Sequence, residues 1–162
     1  DRVREALFSI LSANVEEAMV LDLFAGSGAL GIEALSRGAA KAHFIEKNRR
    51  ATDILNSNIA MLKGADCAVH HGPVERVLPG LARKGVIFDL VFMDPPYGRG
   101  LVPKTLETLC RLDLLARECR VVAEHETRFK PPREVGNLFR VDRRKYGDTT
   151  ISIYSPFIGG TE

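Results

Sequence analysis

The chain has 162 residues, of which 45% are hydrophobic and 27% are charged, and its formal net charge is +2. This size and composition are typical of one domain, and they exclude a membrane protein because no apolar run approaches the ~20 residues of a membrane span. The charged opening is unlike a signal peptide, and three cysteines without CxxC spacing argue against a disulfide framework or a zinc site. We therefore expect residues 1–162 to form a single cytoplasmic domain with reduced thiols and no metal.

Strand-like and helix-like patterns alternate along most of the chain. Apolar residues at three- to four-residue spacing predict helices, and short apolar runs before glycine or proline predict buried strands. Their repeated order implies a parallel sheet with helices on both faces, and Gly147-Asp148 near the end predicts an antiparallel hairpin. Residues 130–137 are predicted to be a long loop. In chain order we expect a helix at 2–13, a strand at 20–24, a helix at 29–36, a strand at 42–45, a helix at 49–62, a strand at 67–70, a helix at 74–82, a strand at 88–93, a helix at 102–110, and strands at 120–125, 139–146 and 149–154.

The first predicted strand runs directly into a glycine-rich loop that contains Gly26, Gly28 and Gly31 in a GxGxxG pattern. Glycines at such a place let the backbone pass close to a ligand, and the first turn of the following helix offers unpaired N–H groups. The pattern alone is typical of a dinucleotide site, and a tight turn without a ligand is the alternative.

Two carboxylates near this loop bear on the choice of ligand. Asp22 stands just before the glycines, where it would repel the pyrophosphate of NAD and attract a ligand with a cationic end. S-adenosylmethionine has such an end, because it carries a sulfonium and an ammonium group and no phosphate. Glu46 ends the second strand, where a carboxylate can accept hydrogen bonds from ribose hydroxyls. Glu46 therefore supports a nucleoside ligand but does not choose between the two cofactors.

A second motif, Asp94-Pro95-Pro96-Tyr97, follows the fourth predicted strand. Two prolines remove two backbone donors and fix φ, so the turn is rigid and its carbonyls remain available as acceptors. Asp94 beside such a carbonyl supplies two acceptors for the two N–H groups of a nucleobase amino group, which would aim the nitrogen lone pair at a methyl donor. Tyr97 offers a flat face for stacking a base that has been flipped out of a helix.

At these residues the chain resembles the class I S-adenosylmethionine-dependent amino-methyltransferases, and it looks closest to the RsmD family, the bacterial 16S rRNA (guanine-N2)-methyltransferases. The segments that carry the resemblance are DRVREALF at 1–8, LDLFAGSGALGIEALSRGA at 21–39, FIEKN at 44–48 and MDPPYGRG at 93–100. The resemblance implies a Rossmann-like class I fold with a mostly parallel, seven-stranded sheet. It also implies methylation of the 2-amino group of a guanine in small-subunit rRNA, with naked rRNA or an assembling small ribosomal subunit as the partner of a monomeric enzyme.

The resemblance further implies roles for individual residues: Asp22, Gly26 and Gly28 hold the methionine moiety, Glu46 holds the ribose, and the residues from Asp94 to Tyr97 hold the target amino group. After the third strand, where related enzymes often place Asp or Asn near the adenine, this chain has Gly72-Pro73-Val74, so we expect a backbone contact from Val74. The complete set of predicted site residues is Asp94, Pro95, Pro96 and Tyr97 for catalysis, Asp22, Phe24, Ala25, Gly26, Ser27, Gly28, Glu46 and Val74 for the cofactor, and Arg2 and Arg99 for RNA phosphates.

Several alternatives remain open from the sequence. For Arg2 the solvated face of a helix is the more usual explanation, whereas for Arg99 an exposed position and a phosphate contact are evenly balanced. Members of the family usually carry a basic segment ahead of DRVRE, and because this chain lacks both that segment and an initial methionine, we expect the gene product to be longer. A DNA or RNA adenine-amino methyltransferase is an alternative enzyme, since the DPPY chemistry accepts either base. A catalytically silent nucleotide- or RNA-binding module is an alternative of a different class.

Overall fold

A twisted sheet with helices on both faces organises residues 2–156, which are the residues described by the computed structural model. The helices are α1 (Arg2–Ile10), α2 (Ser12–Val15), α3 (Ala29–Ser36), α4 (Arg49–Ala60), α5 (Val74–Arg83) and α6 (Leu101–Arg111). The strands are β1 (Met19–Leu23), β2 (Lys41–Glu46), β3 (Cys67–His71), β4 (Phe88–Met93), β5 (Leu115–Glu126), β6 (Glu134–Val135), β7 (Leu138–Tyr146) and β8 (Thr149–Ser155). Among the helices of these residues, none has the length and apolar character needed to cross a bilayer.

The strand order is β3-β2-β1-β4-β5-β8-β7-β6. Strands β1 to β5 pair in parallel, whereas β8 and β7 continue the sheet as an antiparallel hairpin. The chain moves outward from β1 to β2 and β3 on one side, and then returns to place β4 on the other side. This reversal opens a crevice at the carboxyl ends of β1 and β4, which is where open α/β sheets bind their ligands.

Two hydrophobic clusters, one on each face, hold the helices to the sheet because successive strand residues point to opposite faces. On β1, Val20 packs with the buried faces of α1 to α4, while Leu21 and Leu23 pack with α5 and α6. The central strands are covered on both sides, so their buried residues form continuous apolar runs. Asp22 interrupts the run on β1, and at 4% exposure it is a buried carboxylate directly below the crevice.

The structure confirms the predicted α/β architecture and the hairpin at Gly147-Asp148, and it corrects three details. The helix expected at 2–13 breaks at Leu11 into α1 and α2, which allows Val15 to reach the same cluster as Leu7. The sheet has eight strands in the described residues rather than seven, because the expected loop at 130–137 contains β6. A two-residue turn, Gly136-Asn137 with Gly136 at φ +59°, joins β6 to β7, and Gly-Asn is a known hairpin signal. Strand β5 begins at Leu115 rather than at residue 120, because Leu115 pairs with Phe88 ahead of a shift in register.

Candidate active site

The glycine loop between β1 and α3 depends on backbone conformations that few side chains adopt. Gly26 and Gly28 have φ values of +57° and +82°, and Phe24, the first residue after β1, has φ +57°. A left-handed phenylalanine is uncommon and stores strain, of a kind that clusters at ligand sites. A Cβ on Gly28 would run into the buried side chain of Leu55 and lie 3.2 Å from the Phe44 ring. Gly28 is therefore required for close packing beneath the loop, whereas a Cβ on Gly26 would meet nothing within 4 Å.

Two carboxylates accept backbone hydrogen bonds from the loop and from the first turn of α3. The Gly31 N–H donates to Oδ2 of Asp22 at 3.0 Å, and the Gly26 N–H donates to Oε1 of Glu46 at 2.7 Å. The second oxygen of Glu46 accepts from the Asn48 N–H at 2.9 Å. A carboxylate offers about four lone-pair positions, so Glu46 retains acceptor capacity for a ligand. Both residues thus have a structural role in the loop that sequence reasoning did not assign to them.

Burial strongly perturbs the pKa of the Asp22 carboxyl group. Desolvation raises its pKa from 3.8 to about 7, the Gly31 hydrogen bond opposes that rise, and the charges of Asp94 and Glu46 add to it. Near neutral pH this group is consequently balanced between its protonated and ionised forms. A cation placed beside it would favour the ionised form, so the site is suited to bind a positively charged ligand.

The Asp94-Pro95-Pro96-Tyr97 turn projects from the end of β4, next to the glycine loop. Pro95 is buried and anchors the turn, while the Tyr97 ring is 53% exposed. Desolvation in the crevice raises the pKa of Asp94. Desolvation also raises the pKa of Tyr97, with smaller contributions from the charges of Asp94 and Glu124. The turn therefore presents one carboxylate and one open aromatic face to the same space.

Three cavities meet at this turn, and each is named here for one of its lining residues. The Glu46 cavity has a volume of about 560 Å³, the Asp22 cavity about 530 Å³ and the Phe129 cavity about 380 Å³. Phe24 and Asp94 line both the Glu46 and Asp22 cavities. The residues Pro95 to Tyr97 line both the Glu46 and Phe129 cavities, and Glu124 lines both the Asp22 and Phe129 cavities. The shared lining residues place the three cavities next to one another, and together they are called the cleft.

Most of the residues predicted from the sequence lie along this cleft. Those that line a cavity are Asp22, Phe24, Ala25, Gly26, Ser27, Glu46, Val74, Asp94, Pro95, Pro96, Tyr97 and Arg99. Gly28 lies beneath the loop, as described above. Arg2 is exposed on α1 and lines none of the three cavities, whereas its neighbours Val3 and Arg4 line the Asp22 cavity.

Several lining residues were not anticipated, and Glu124 and Phe129 are two of them. Neither belongs to a recognisable motif, and both reach the cleft because β5 lies next to β4 in the sheet. For Glu124 the sequence offered one signal, a charged residue directly after a buried apolar run, and for Phe129 it offered none. Among the described residues no cluster of three or more histidine, cysteine or acidic side chains is placed to hold a metal ion.

Comparisons with known proteins agree with this geometry. A family model described as Conserved hypothetical protein 95 matches residues 1–155. The Escherichia coli K12 protein named Ribosomal RNA small subunit methyltransferase D is 44% identical over 154 residues, which are 95% of this chain and 76% of that protein.

Solved structures share the fold. A conserved hypothetical protein of Streptococcus pyogenes is 37% identical, with a TM-score of 0.87 and coverage of 94% of both chains. A SAM-dependent methyltransferase of Agrobacterium tumefaciens is 18% identical, with a TM-score of 0.70 over 96% of this chain and 61% of that one, and it shows the fold alone. The match of the family model to nearly the whole chain, together with the identity to the Escherichia coli protein, shows that this chain belongs to the RsmD family.

Proposed function

We propose that this protein transfers a methyl group from S-adenosylmethionine to the exocyclic 2-amino group of a guanine in small-subunit rRNA. The observation that carries the proposal is the Asp94-Pro95-Pro96-Tyr97 turn, which adjoins the Asp22 glycine loop across neighbouring strands. The name of the Escherichia coli relative, a small-subunit rRNA methyltransferase, supports the choice of substrate.

The residues present in the cleft fit this cofactor. Asp22 lies in a cavity where a cation would be stabilised, and Glu46 lies in the adjoining cavity with acceptor capacity for ribose hydroxyls. Val74 lines the same cavity as Glu46, which agrees with a backbone contact to the adenine. When bound, S-adenosylmethionine supplies an electrophilic methyl group on a sulfonium. A pyrophosphate at the same loop would instead face the negative charge of Asp22.

Asp94 and Tyr97 act on the acceptor. An aromatic amino group is a weak nucleophile because its lone pair is delocalised into the ring. The Asp94 carboxylate and a carbonyl of the turn accept its two N–H groups, which localises the lone pair and directs it across the cleft. Transfer of the methyl group from sulfur would leave a neutral thioether and a positively charged nitrogen, and the Asp94 carboxylate, which accepts a hydrogen bond from one N–H of that nitrogen, would then take up the released proton. Tyr97 stacks the base, which must leave its helix to reach this depth.

The proposal is tested with labelled S-adenosylmethionine and small ribosomal subunits or 16S rRNA from a strain that lacks the gene. We expect N2-methylguanine in the digested rRNA, identified by mass spectrometry of the nucleosides. Absence of that nucleoside from both substrates would contradict the proposal. The cofactor is tested separately: at a hundredfold excess over its dissociation constant, S-adenosylhomocysteine should stabilise the protein by about 2.7 kcal/mol, while NAD should have no effect.

We further propose that the protein works as a monomer in the cytoplasm, with RNA phosphates contacted by Arg99 at the rim of the Glu46 cavity. Light scattering on the purified protein tests the oligomeric state. An Arg99→Ala variant should weaken RNA binding and reduce its salt dependence by about one charge.

A further inference from the structure

Glu124 lies beside the catalytic turn because of the register between two parallel strands. Met93 at the end of β4 pairs with Ala123 of β5, so the next residues, Asp94 and Glu124, follow at the same level of the sheet. Side chains alternate between the two faces of a strand, and the pairing therefore directs both carboxylates to the same face. Both residues line the Asp22 cavity.

Among residues 2–156, no hydrogen bond or ion pair engages the Glu124 carboxylate. It differs in this from Asp22 and Glu46, whose oxygens accept backbone N–H groups of the loop. Glu124 is half-buried, and it also lines the Phe129 cavity together with Tyr97. The carboxylate thus borders the space in which a base stacked on Tyr97 would lie, with its acceptors available.

The edges of the two purines differ at the atom next to the reactive amino group. Guanine carries an N1–H donor beside its 2-amino group, whereas adenine carries an N1 lone pair beside its 6-amino group. An ionised carboxylate can only accept hydrogen bonds. A carboxylate at this position therefore pairs with the N1–H of guanine and repels the N1 lone pair of adenine.

We infer that Glu124 selects guanine over adenine, by accepting the N1–H of the base whose amino group is held by Asp94. This inference rests on the proposed methyltransferase function and extends it, because the DPPY turn by itself accepts either base. Since Glu124 would touch the base but not the reacting atoms of the methyl transfer, its expected effect is on the choice of acceptor. Cofactor binding should not depend on it.

The inference is tested with small subunits reconstituted from two forms of 16S rRNA. One form carries guanine at the nucleotide that the wild-type protein methylates, mapped beforehand by mass spectrometry, and the other carries 2-aminopurine there. 2-Aminopurine keeps the 2-amino group but has a lone pair at N1. We expect the wild-type kcat/KM to be roughly 10- to 100-fold lower on 2-aminopurine, as expected for loss of a specific base contact.

The Glu124→Gln variant should reverse this preference in part. An amide can donate to the N1 lone pair, so activity on 2-aminopurine should rise while activity on guanine falls by roughly 10- to 100-fold. Glu126→Gln is the matched control, because it removes the same charge from the next residue on that face, whose carboxylate is already paired with Arg128 at 3.2 Å. This control should keep the wild-type preference for guanine.

The outcomes separate the inference from the function on which it rests. Absence of rRNA methylation by the wild-type protein would contradict the proposed function. Methylation of guanine with less than a threefold difference between the two bases would overturn the role of Glu124 and leave the function standing. The same conclusion follows if Glu124→Gln, with unchanged thermal unfolding and S-adenosylmethionine affinity, keeps the full preference for guanine.

Discussion

The glycine loop after β1 and the proline turn after β4 lie side by side, yet they use their carboxylates in different ways. In the loop, Asp22 and Glu46 accept hydrogen bonds from the backbone of the same segment that they present to a ligand. At the turn, Asp94 and Glu124 face the cleft, and among the described residues neither accepts a hydrogen bond. The loop is therefore held by its own hydrogen bonds, whereas under the proposed function the carboxylates at the turn are left to bind the acceptor base.

The largest effect is expected from Asp94→Ala, which removes an acceptor from the turn and leaves the loop intact. We expect kcat to fall by about 100- to 1,000-fold, the usual result of losing a preorganised electrostatic contact to the reacting group. Affinity for S-adenosylmethionine, measured by calorimetry, should stay within about threefold of wild type. A variant that retained its turnover would disprove the assigned role of Asp94.

Gly28→Ala tests whether close packing beneath Gly28 stabilises the glycine loop. The new methyl group would meet the buried Leu55 and Phe44 side chains at a backbone φ of +82°, and we expect a loss of roughly 2–5 kcal/mol in the free energy of unfolding. Gly26→Ala is the control, because φ is +57° there and the added group meets nothing within 4 Å. It should cost only about 1–2 kcal/mol in the same urea titration. Equal losses in the two variants would show that packing does not distinguish the two glycines.

Variants of Tyr97 test whether the proline turn contributes to RNA binding. Replacing Tyr97 by Ala removes the stacking face, so KM for the RNA should rise by about 5- to 150-fold, the equivalent of 1–3 kcal/mol. Tyr97→Phe keeps the ring and should change KM by less than about threefold. A large effect of the phenylalanine variant would mean that the hydroxyl, rather than the ring face, makes the important contact.

The smallest expected effect is a pH dependence carried by Asp22. Its pKa of about 7 means that the ionised form, which attracts a cation, becomes more populated as pH rises through 7. Affinity for S-adenosylmethionine should therefore increase about tenfold between pH 6 and pH 8 and level off above. The dependence should disappear in Asp22→Asn. In the protein without ligand the sign is opposite: the folded state binds this proton more tightly than the unfolded chain, so stability falls as pH rises from 3.8 to about 7.

The two halves also differ in how much of them the sequence predicts. Asp22, Gly26 and Asp94 were identifiable because their roles depend on neighbours in the sequence, namely a strand end followed by a glycine loop or a proline turn. Glu124 was not identifiable, since its position depends on the pairing of β4 with β5 across an intervening helix. Phe24 was predicted as a cofactor residue, but its left-handed backbone conformation was not predicted, because no sequence pattern marks a strained non-glycine residue.

Away from the site as well, features that depend on strand pairing are not predicted by the sequence pattern. A stacked pair, with Nδ1 of His43 at 2.9 Å from Nε2 of His70, joins β2 and β3, and it depends on the pairing of the two strands rather than on neighbours in the sequence. Burial lowers the pKa of His43 to about 4, and desolvation also lowers the pKa of the partly buried His70, so both rings are neutral near pH 7.

The direct pairing of β1 with β4 has a mechanical consequence. Four consecutive residue pairs, from Val20 with Leu90 to Leu23 with Met93, bind the base of the loop to the base of the turn by a parallel ladder. This ladder fixes the separation between the base of the donor pocket and the base of the acceptor pocket. The work of bringing the reactants together therefore falls on the RNA, which has to deliver an extruded nucleotide. An acceptor that is already unstacked in the folded or assembling particle would lower this cost, and a protein with a rigid cleft would select such a site by its shape as well as by its base.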